Sequence, residues 1–337
     1  MDLFNRACFL YSFRCNAVCA HCITDSSPLR KEKMGLKKAQ RYIKELAVNN
    51  IKEIHFSGGE PFLFYKDICS LIKLTVSLNL KAFVVTNAFW ADNLNGSIKI
   101  LKEIKRCGLK HFGISTDVFH KKFIPLDRVI TLAKASKETG MTYSIQMVKA
   151  GQYMQIVNSL KKGIGPYAKF FIDLLFFKDK SLEKTGNKKE FLPRTKIKKF
   201  GCERSFLIVI TPEDRVLSCC AGAIKSRRGS LLEIGSVGET PLNLLIEKAR
   251  RNLLFKFLSI WGPYGLYEEL EMNKVAGLPE LHKFNSSCEL CVYLLGADKF
   301  RGSVIKLFKT SYMKEKIACS EYLYEKKRPT LLIKSVE

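Results

Sequence analysis

Apolar residues follow two alternating spacings over the first half of the chain. Short runs rich in β-branched and aromatic residues predict six strands, at residues 7–11, 53–56, 82–86, 111–115, 143–148 and 170–176. Between these runs, apolar side chains recur every three or four positions, which predicts amphipathic helices. Examples of this helical spacing are Leu36, Ala39, Ile43 and Leu46, then Ile68, Leu71 and Ile72, then Ile98, Leu101 and Ile104.

Strands that alternate with helices predict an α/β fold with a parallel sheet. Six such units can form an open or partial TIM-like barrel, a (β/α)6 arrangement, in which the loops at the carboxyl ends of the strands carry the function. We therefore expect the chemistry of the first predicted domain, residues 1–177, to lie at its strand ends.

The alternation stops after this domain. Residues 178–200 contain nine lysines and arginines, together with Gly186 and Pro193, a composition typical of a solvated linker. Residues 201–337 are predicted to be a small α+β domain with a C-terminal helical extension. Its patterns predict strands at 206–210 and 216–219 and a helix at 242–257.

Composition narrows the class of protein. The 337 residues are 47% apolar and 26% charged, which excludes intrinsic disorder. No apolar stretch approaches the roughly 18 residues of a spanning helix, and charges near the start exclude a signal peptide, so we expect a cytoplasmic protein with no membrane association. The net charge of +25 favours anionic partners without choosing among nucleic acid, anionic membrane and acidic peptide.

Twelve cysteines in a chain of this size suggest metal ligation, because a reducing cytosol disfavours a disulfide framework. Cys15, Cys19 and Cys22 follow the first predicted strand. Zinc prefers four closed ligands, and no second cysteine or histidine pair of suitable spacing lies nearby. Three thiolates therefore suggest an iron-sulfur cluster with one open iron.

This Cys-x3-Cys-x2-Cys motif resembles the signature of the radical S-adenosylmethionine (SAM) superfamily. The resemblance implies that the three thiolates hold a [4Fe-4S] cluster whose fourth iron chelates the amino and carboxylate groups of SAM. It also implies reductive cleavage of SAM to methionine and a 5′-deoxyadenosyl radical, which abstracts a hydrogen atom from the substrate.

Further motifs of the family occur at successive strand ends. Gly58-Gly59-Glu60-Pro61 resembles the GGEP motif, in which the glycines allow close approach of the methionyl group and the glutamate accepts from its ammonium. By themselves these residues could be turns and helix caps, but their order along the chain favours the family. The other residues that we assign to the SAM site are Asn87, Ser115, Asp117, Gln146 and His21.

The second predicted domain resembles the SPASM or twitch domains that carry auxiliary clusters. A full SPASM domain needs more cysteines than this region contains, so we expect one auxiliary [4Fe-4S] cluster. Adjacent strand residues face opposite sides, so Cys219 and Cys220 are not expected to bind the same cluster. We predict that the ligands are Cys202, Cys219, Cys288 and Cys291.

Cys220 would then lie beside the cluster as a hydrogen-atom donor. This arrangement resembles the radical SAM peptide epimerases, which convert an L-residue of a ribosomal peptide to its D form after abstraction of the Cα hydrogen. The alternatives are that Cys220 is a packed small residue or replaces Cys219 as a ligand. We interpret the remaining cysteines as structural thiols: Cys8, Cys69, Cys107 and Cys319.

The predicted partners are a ribosomal precursor peptide and a flavodoxin or ferredoxin-type electron donor. Only fourteen residues precede Cys15, so we expect leader binding, if any, to use another surface. The rival functions are peptide cross-linking through a thioether or carbon-carbon bond, transfer RNA modification, and a non-catalytic cluster scaffold. No recognisable RNA-binding module supports nucleic acid as a partner. His120 is interpreted as a solvated loop histidine.

Overall fold

The computed structural model describes residues 3–165, 169–174, 197, 201–202 and 206–325. The chain divides into two compact units. One contains residues 6–193 and 209–215, and the other contains residues 1–5, 194–208 and 216–337. Most of the predicted linker lies outside the described residues, so the domain boundaries drawn from the sequence stay predictions.

Six parallel strands build the sheet of the first unit, and each pairs with the next one along the chain. This arrangement confirms the predicted parallel α/β fold and puts all six carboxyl ends at one edge. The predicted residues 175 and 176 of the last strand lie outside the described part. The strands are β1 (Arg6–Ser12), β2 (Glu53–Gly58), β3 (Lys81–Thr86), β4 (His111–Ser115), β5 (Thr142–Lys149) and β6 (Phe170–Leu174).

Helices connect these strands, and the predicted apolar stripes are their buried faces. Ile43, Leu71 and Leu101 are at most 1% exposed. Each helix therefore packs its apolar face against the sheet, because burial of those side chains is favourable. The helices are α1 (Leu36–Val48), α2 (Tyr65–Ser77), α3 (Leu94–Arg106), α4 (Leu126–Thr139) and α5 (Tyr153–Ile164).

The second unit is mainly helical. Two short strands, β8 (Arg215–Leu217) and β9 (Glu233–Ser236), are neighbours. β8 follows β7 (Ile208–Ile210) along the chain, and residues 209–215, which include most of β7 and the turn between the two strands, belong to the first unit. Across the described part of the chain, no helix is both long enough and apolar enough to cross a membrane. The helices of this unit are α6 (Gly222–Lys225), α7 (Leu242–Arg251), α8 (Leu253–Met272), α9 (Ser287–Leu295), α10 (Arg301–Lys309) and α11 (Ser311–Glu325).

The prediction of one helix at 242–257 is wrong, because Asn252 separates two helices. Its backbone is extended, and its side-chain oxygen accepts hydrogen bonds from the backbone N–H groups of Leu254 at 2.9 Å and Phe255 at 3.3 Å. Asparagine is a strong N-cap because it pairs donors that the first helical turn leaves unpaired. The apolar periodicity continues across this residue, which is why the pattern alone missed the break.

Candidate functional site

The loop after β1 holds three half-buried cysteine side chains, Cys15, Cys19 and Cys22. Backbone hydrogen bonds fold it into a turn, with Cys22 N–H donating to the carbonyl of Cys19 at 2.9 Å. The backbone N–H of Ser26 donates to Cys22 Sγ at 3.4 Å. The side-chain amide of Asn87, directly after β3, lies 3.8 Å from Cys15 Sγ.

The chemistry of these sulfurs fits a metal cluster. Burial raises the pKa of the Cys15 thiol to about 11, and the charges of Glu60 and Cys22 add to this effect. Burial also raises the pKa of Cys19, with further contributions from Asp117 and Cys22. These raised pKa values express the cost of placing several negative thiolates together, and a bound cation offsets that cost, so the loop suits a metal cluster.

Gly58 and Gly59 bring the end of β2 against the end of β1. The N–H of Gly59 donates to the carbonyl of Ser12 at 2.7 Å. Gly58 has a φ of 125°, and a Cβ atom on Gly59 would lie 2.0 Å from the carbonyl oxygen of Arg14. Only glycine fits this approach of two backbones, which fixes the cysteine loop beside the end of β2.

The Glu60 carboxylate joins the ends of β2 and β3. It is 2% exposed, and its Oε1 accepts hydrogen bonds from Phe62 N–H at 3.0 Å and Thr86 Oγ1 at 2.8 Å. Its Oε2 accepts from Asn87 N–H at 2.7 Å. Burial outweighs these hydrogen bonds and raises the pKa of Glu60 to about 7. A nearby cation, such as an ammonium group, would stabilise the ionised form of a carboxylate buried in this way.

The carboxylate of Asp117, beyond the end of β4, contacts two histidine side chains. Its carboxylate is 1% exposed; Oδ1 accepts from His120 Nδ1 at 2.9 Å, and Oδ2 lies 3.3 Å from His21 Nε2. The His21 ring stacks on Phe119, with centroids 4.5 Å apart. Although burial opposes ionisation, His120 and His21 hold the pKa of Asp117 well below its ordinary value.

Two further predicted SAM-site residues lie on neighbouring strands. Ser115 ends β4 and is paired in register with Gln146 of β5. Both side chains are partly exposed. The Gln146 amide lies so close to Gly113 that a Cβ atom there would be 2.9 Å from its Nε2, so the glycine leaves room for this side chain.

Sequence reasoning missed two side chains of this region. The first is Thr86, whose hydroxyl donates a hydrogen bond to Glu60. The Thr-Asn pair at the end of β3 was the available signal for this role. His120 was interpreted as a solvated loop histidine, but its side chain is only 18% exposed and contacts Asp117. The spacing of three residues between Asp117 and His120, across the turn after β4, was the available signal.

The second unit brings four of its cysteines together. Burial raises the pKa of the Cys291 thiol well above its ordinary value, and three other cysteine sulfurs raise it further: Cys219, Cys202 and Cys288. Burial likewise raises the pKa of Cys219 to about 12. Cys288 and Cys291 occupy the first turns of α9, which Ser286 caps by accepting from Glu289 N–H at 3.1 Å.

Cys219 and Cys220 lie just beyond β8, which ends at Leu217 rather than at the predicted residue 219. The chain bends at Ser218, whose N–H and hydroxyl both donate to the carbonyl of Leu232. Cys219 Sγ accepts from Ala223 N–H at 3.3 Å. The strand-alternation argument for separating the two cysteines therefore does not apply, although their charges still interact.

The cysteines interpreted as structural thiols occupy mixed environments. Cys8 and Cys107 are buried, at 4% and 7% exposed, and Cys69 is half-buried and interacts with Cys107. Cys319 is exposed, so its interpretation as a core residue is wrong. It lies on the exposed side of α11, a helix whose weak apolar pattern does not identify that side.

Comparison with known proteins matches residues 9–162 to the Radical SAM superfamily. The chain is 24% identical over 284 residues to the peptide biosynthesis protein YydG of Bacillus subtilis (strain 168), an alignment that covers 82% of this chain and 88% of YydG. It is 25% identical over 154 residues to a PqqA peptide cyclase of Granulibacter bethesdensis (strain ATCC BAA-1260 / CGDNIH1), covering 42% and 39% of the two chains. A crystal structure of BtrN in complex with AdoMet and 2-DOIA superposes with a TM-score of 0.49 at 15% identity, covering 85% of this chain and 98% of BtrN.

Proposed function

Given that this chain carries a radical SAM domain and is an enzyme of that superfamily, we propose that it modifies a ribosomally synthesised peptide. The observation that carries this proposal is the similarity to YydG, a peptide biosynthesis protein, over 82% of this chain. An alignment of that length extends beyond residues 9–162 into the second unit. The similarity to a PqqA peptide cyclase, whose name also refers to a peptide, agrees with this proposal.

The first unit would hold the cofactors at the ends of its strands. Cys15, Cys19 and Cys22 would bind a [4Fe-4S] cluster, and the half-buried thiols of the loop, whose charges act on one another, support this assignment. When bound, the cluster and SAM supply a 5′-deoxyadenosyl radical that removes a hydrogen atom from the peptide. Glu60 would accept from the SAM ammonium, which suits a buried carboxylate that forms no ion pair among the described residues.

The second unit would hold an auxiliary [4Fe-4S] cluster. Its ligands would be Cys202, Cys219, Cys288 and Cys291; the charges of the first three all act on the Cys291 thiol in the structure. Soft thiolates in a buried, apolar position suit an iron-sulfur cluster better than a hard cation. Cys220 would stay outside this ligand set.

The modification that we propose is L-to-D epimerisation at one Cα atom, with Cys220 as the hydrogen-atom donor. Removal of the Cα hydrogen leaves a planar carbon radical. The Cys220 S–H bond then breaks as a new C–H bond forms on the opposite face. The resulting thiyl radical takes up one electron and one proton, and the electron would come from a flavodoxin or ferredoxin-type donor. A net charge of +25 favours an acidic redox protein in that role.

Deuterium incorporation tests this function directly. The precursor peptide, treated in deuterated water, is expected to gain one deuterium at Cα and no other mass, because a thiol exchanges its proton with solvent. Replacement Cys220→Ala should preserve SAM cleavage and abolish inversion. The exposed thiol of Cys319 provides the matched control, so Cys319→Ala should leave the product unchanged. Inverted product from the Cys220→Ala variant would rule out this donor.

Peptide cross-linking is the second candidate, which the similarity to a PqqA peptide cyclase favours. A thioether or carbon-carbon bond forms with the loss of two hydrogen atoms from the peptide. Mass spectrometry therefore separates the two functions, since epimerisation in ordinary water leaves the mass unchanged. In the cross-linking case Cys220→Ala would leave the product unaltered.

A further inference from the structure

Helix α8 of the second unit is interrupted near its middle. Gly262 has a φ of 65° and a ψ of −175°, which is not helical and is a conformation that essentially only glycine adopts without strain. Pro263 follows, and proline has no backbone N–H to donate to a carbonyl of the preceding turn. Two helical segments therefore meet here, and the first of them ends at Trp261.

The interruption supplies two buried hydrogen-bond acceptors to a distant part of the chain. The last four carbonyls of a helical segment have no donor within that segment. Of these, the carbonyl of Ile260 accepts from Gly201 N–H at 2.9 Å, and the carbonyl of Leu258 accepts from Cys202 N–H at 3.2 Å. In an uninterrupted helix, N–H groups four residues further along would occupy both carbonyls.

Gly201 allows the backbone before Cys202 to approach α8 closely. A Cβ atom on Gly201 would lie 2.5 Å from the carbonyl oxygen of Ser259, a distance that no side chain tolerates without movement of the backbone. The two hydrogen bonds and this close approach together fix the backbone that carries Cys202. The thiol of Cys202 is half-buried, and its charge contributes to the raised pKa of Cys291.

Lys316 of α11 contacts both segments of the interrupted helix. Its Nζ lies 4.7 Å from the ring centroid of Trp261, the last residue of the first segment, and 2.6 Å from Oε1 of Glu269 in the second segment. Glu269 is 1% exposed, and loss of the partner of a buried carboxylate is strongly destabilising. The ion pair and the cation–π contact therefore link the two segments across the interruption.

We propose that the interruption of α8 positions Cys202 as a ligand of the auxiliary cluster. The carbonyls of Leu258 and Ile260 hold the backbone of this ligand, and Lys316 keeps the two helical segments in the arrangement that leaves those carbonyls available. These are positioning residues, because they act through Cys202. This inference rests on the auxiliary cluster of the proposed function and deepens it by naming what places one of its ligands.

The first test compares Gly201→Ala with Cys202→Ala after anaerobic reconstitution. Iron content of Gly201→Ala should fall from about eight toward about four, to the value that Cys202→Ala shows, and the electron paramagnetic resonance spectra of the two reduced variants should agree. The double variant should match Cys202→Ala alone, because both changes remove one ligand. Gly302→Ala is the control, since nothing lies within 4 Å of a Cβ atom there, and it should retain the wild-type iron content and spectrum.

The second test needs no cluster. In metal-free wild type, the amide hydrogens of Gly201 and Cys202 should exchange with solvent at least about tenfold more slowly than in the variant Gly262→Ala/Pro263→Ala, which regains an N–H group and favours a continuous helix. Nuclear magnetic resonance measures both amides. Equal exchange in the two proteins would overturn the role of the interruption, and rapid exchange in the wild type would overturn the contacts with Leu258 and Ile260.

The role of Lys316 is tested with Lys316→Met/Glu269→Gln, which removes the ion pair without leaving a buried charge. This variant should lose auxiliary iron, and Lys316→Arg, which keeps the charge, should retain it. Full iron and a wild-type spectrum in Gly201→Ala would overturn the positioning of Cys202; if that variant does not fold, amide exchange decides. About four irons in the wild type would instead contradict the proposed auxiliary cluster. Because no measurement contains peptide, failure of epimerisation leaves these outcomes unaffected.

Discussion

At the scale of single residues, Glu60 shows how burial and hydrogen bonding compete. Three donors stabilise its ionised form, yet loss of water around the 2% exposed side chain has the larger effect and raises its pKa to about 7. The motif predicted a glutamate at the SAM site. It did not predict that Thr86 and Asn87 hold that glutamate in place, because this contact joins two strand ends distant in sequence.

The raised pKa of Glu60 gives a prediction for stability against pH. A carboxyl whose pKa rises from 4.5 to about 7 on folding stabilises the fold below pH 4.5, and this contribution is lost as the pH rises through 7. In metal-free protein, the free energy of unfolding of the wild type should fall relative to Glu60→Gln by on the order of 3 kcal/mol from pH 5 to pH 8. Denaturant unfolding at several pH values measures this difference. Parallel pH profiles would contradict it.

At the scale of elements, the contact of β1 with β2 controls where the cysteine loop lies. The strands pair in parallel, with a register shift after Leu10, and the backbone of Gly59 packs on Arg14. The predicted strand positions agree with the observed ones to within about two residues where both are described, because period-two patterns and buried runs are local signals. The break at Asn252 and the early end of β8 coincide with hydrogen bonds made by individual residues, which such patterns do not contain.

A substitution at Gly59 tests this element contact. Gly59→Ala should destabilise the protein by about 3 kcal/mol and reduce iron incorporation at the cysteine loop, because its Cβ atom would overlap the Arg14 carbonyl. Gly302→Ala is the matched control, since nothing lies within 4 Å of a Cβ atom there, and helix propensity should stabilise that variant by about 0.5 kcal/mol. Equal stability of the two variants would refute a tight contact at Gly59.

At the scale of the whole molecule, the two units divide the cysteines between them. Cys15, Cys19 and Cys22 belong to the first unit, whereas Cys202, Cys219, Cys288 and Cys291 belong to the second. Each unit supplies its proposed ligands from segments that its own fold brings together. Loss of one proposed cluster should therefore leave the other intact.

Iron content measures this independence. Anaerobically reconstituted wild type should contain about eight irons, as two cubane clusters require. Replacement of both Cys288 and Cys291 by alanine should leave about four irons and retain SAM binding, and Cys319→Ala should keep about eight. About four irons in the wild type would contradict the auxiliary cluster.

The sequence by itself determined the six-strand parallel α/β unit and the match of residues 9–162 to the Radical SAM superfamily. Hydrophobic spacing and motif order are properties of the sequence itself, so they can be recognised without knowledge of tertiary contacts. Only the tertiary structure decided that Asp117 is enclosed by two histidines and that Thr86 and Asn87 hold the Glu60 carboxylate. Those relations depend on distances between side chains far apart in sequence, which chain packing sets and no local pattern records.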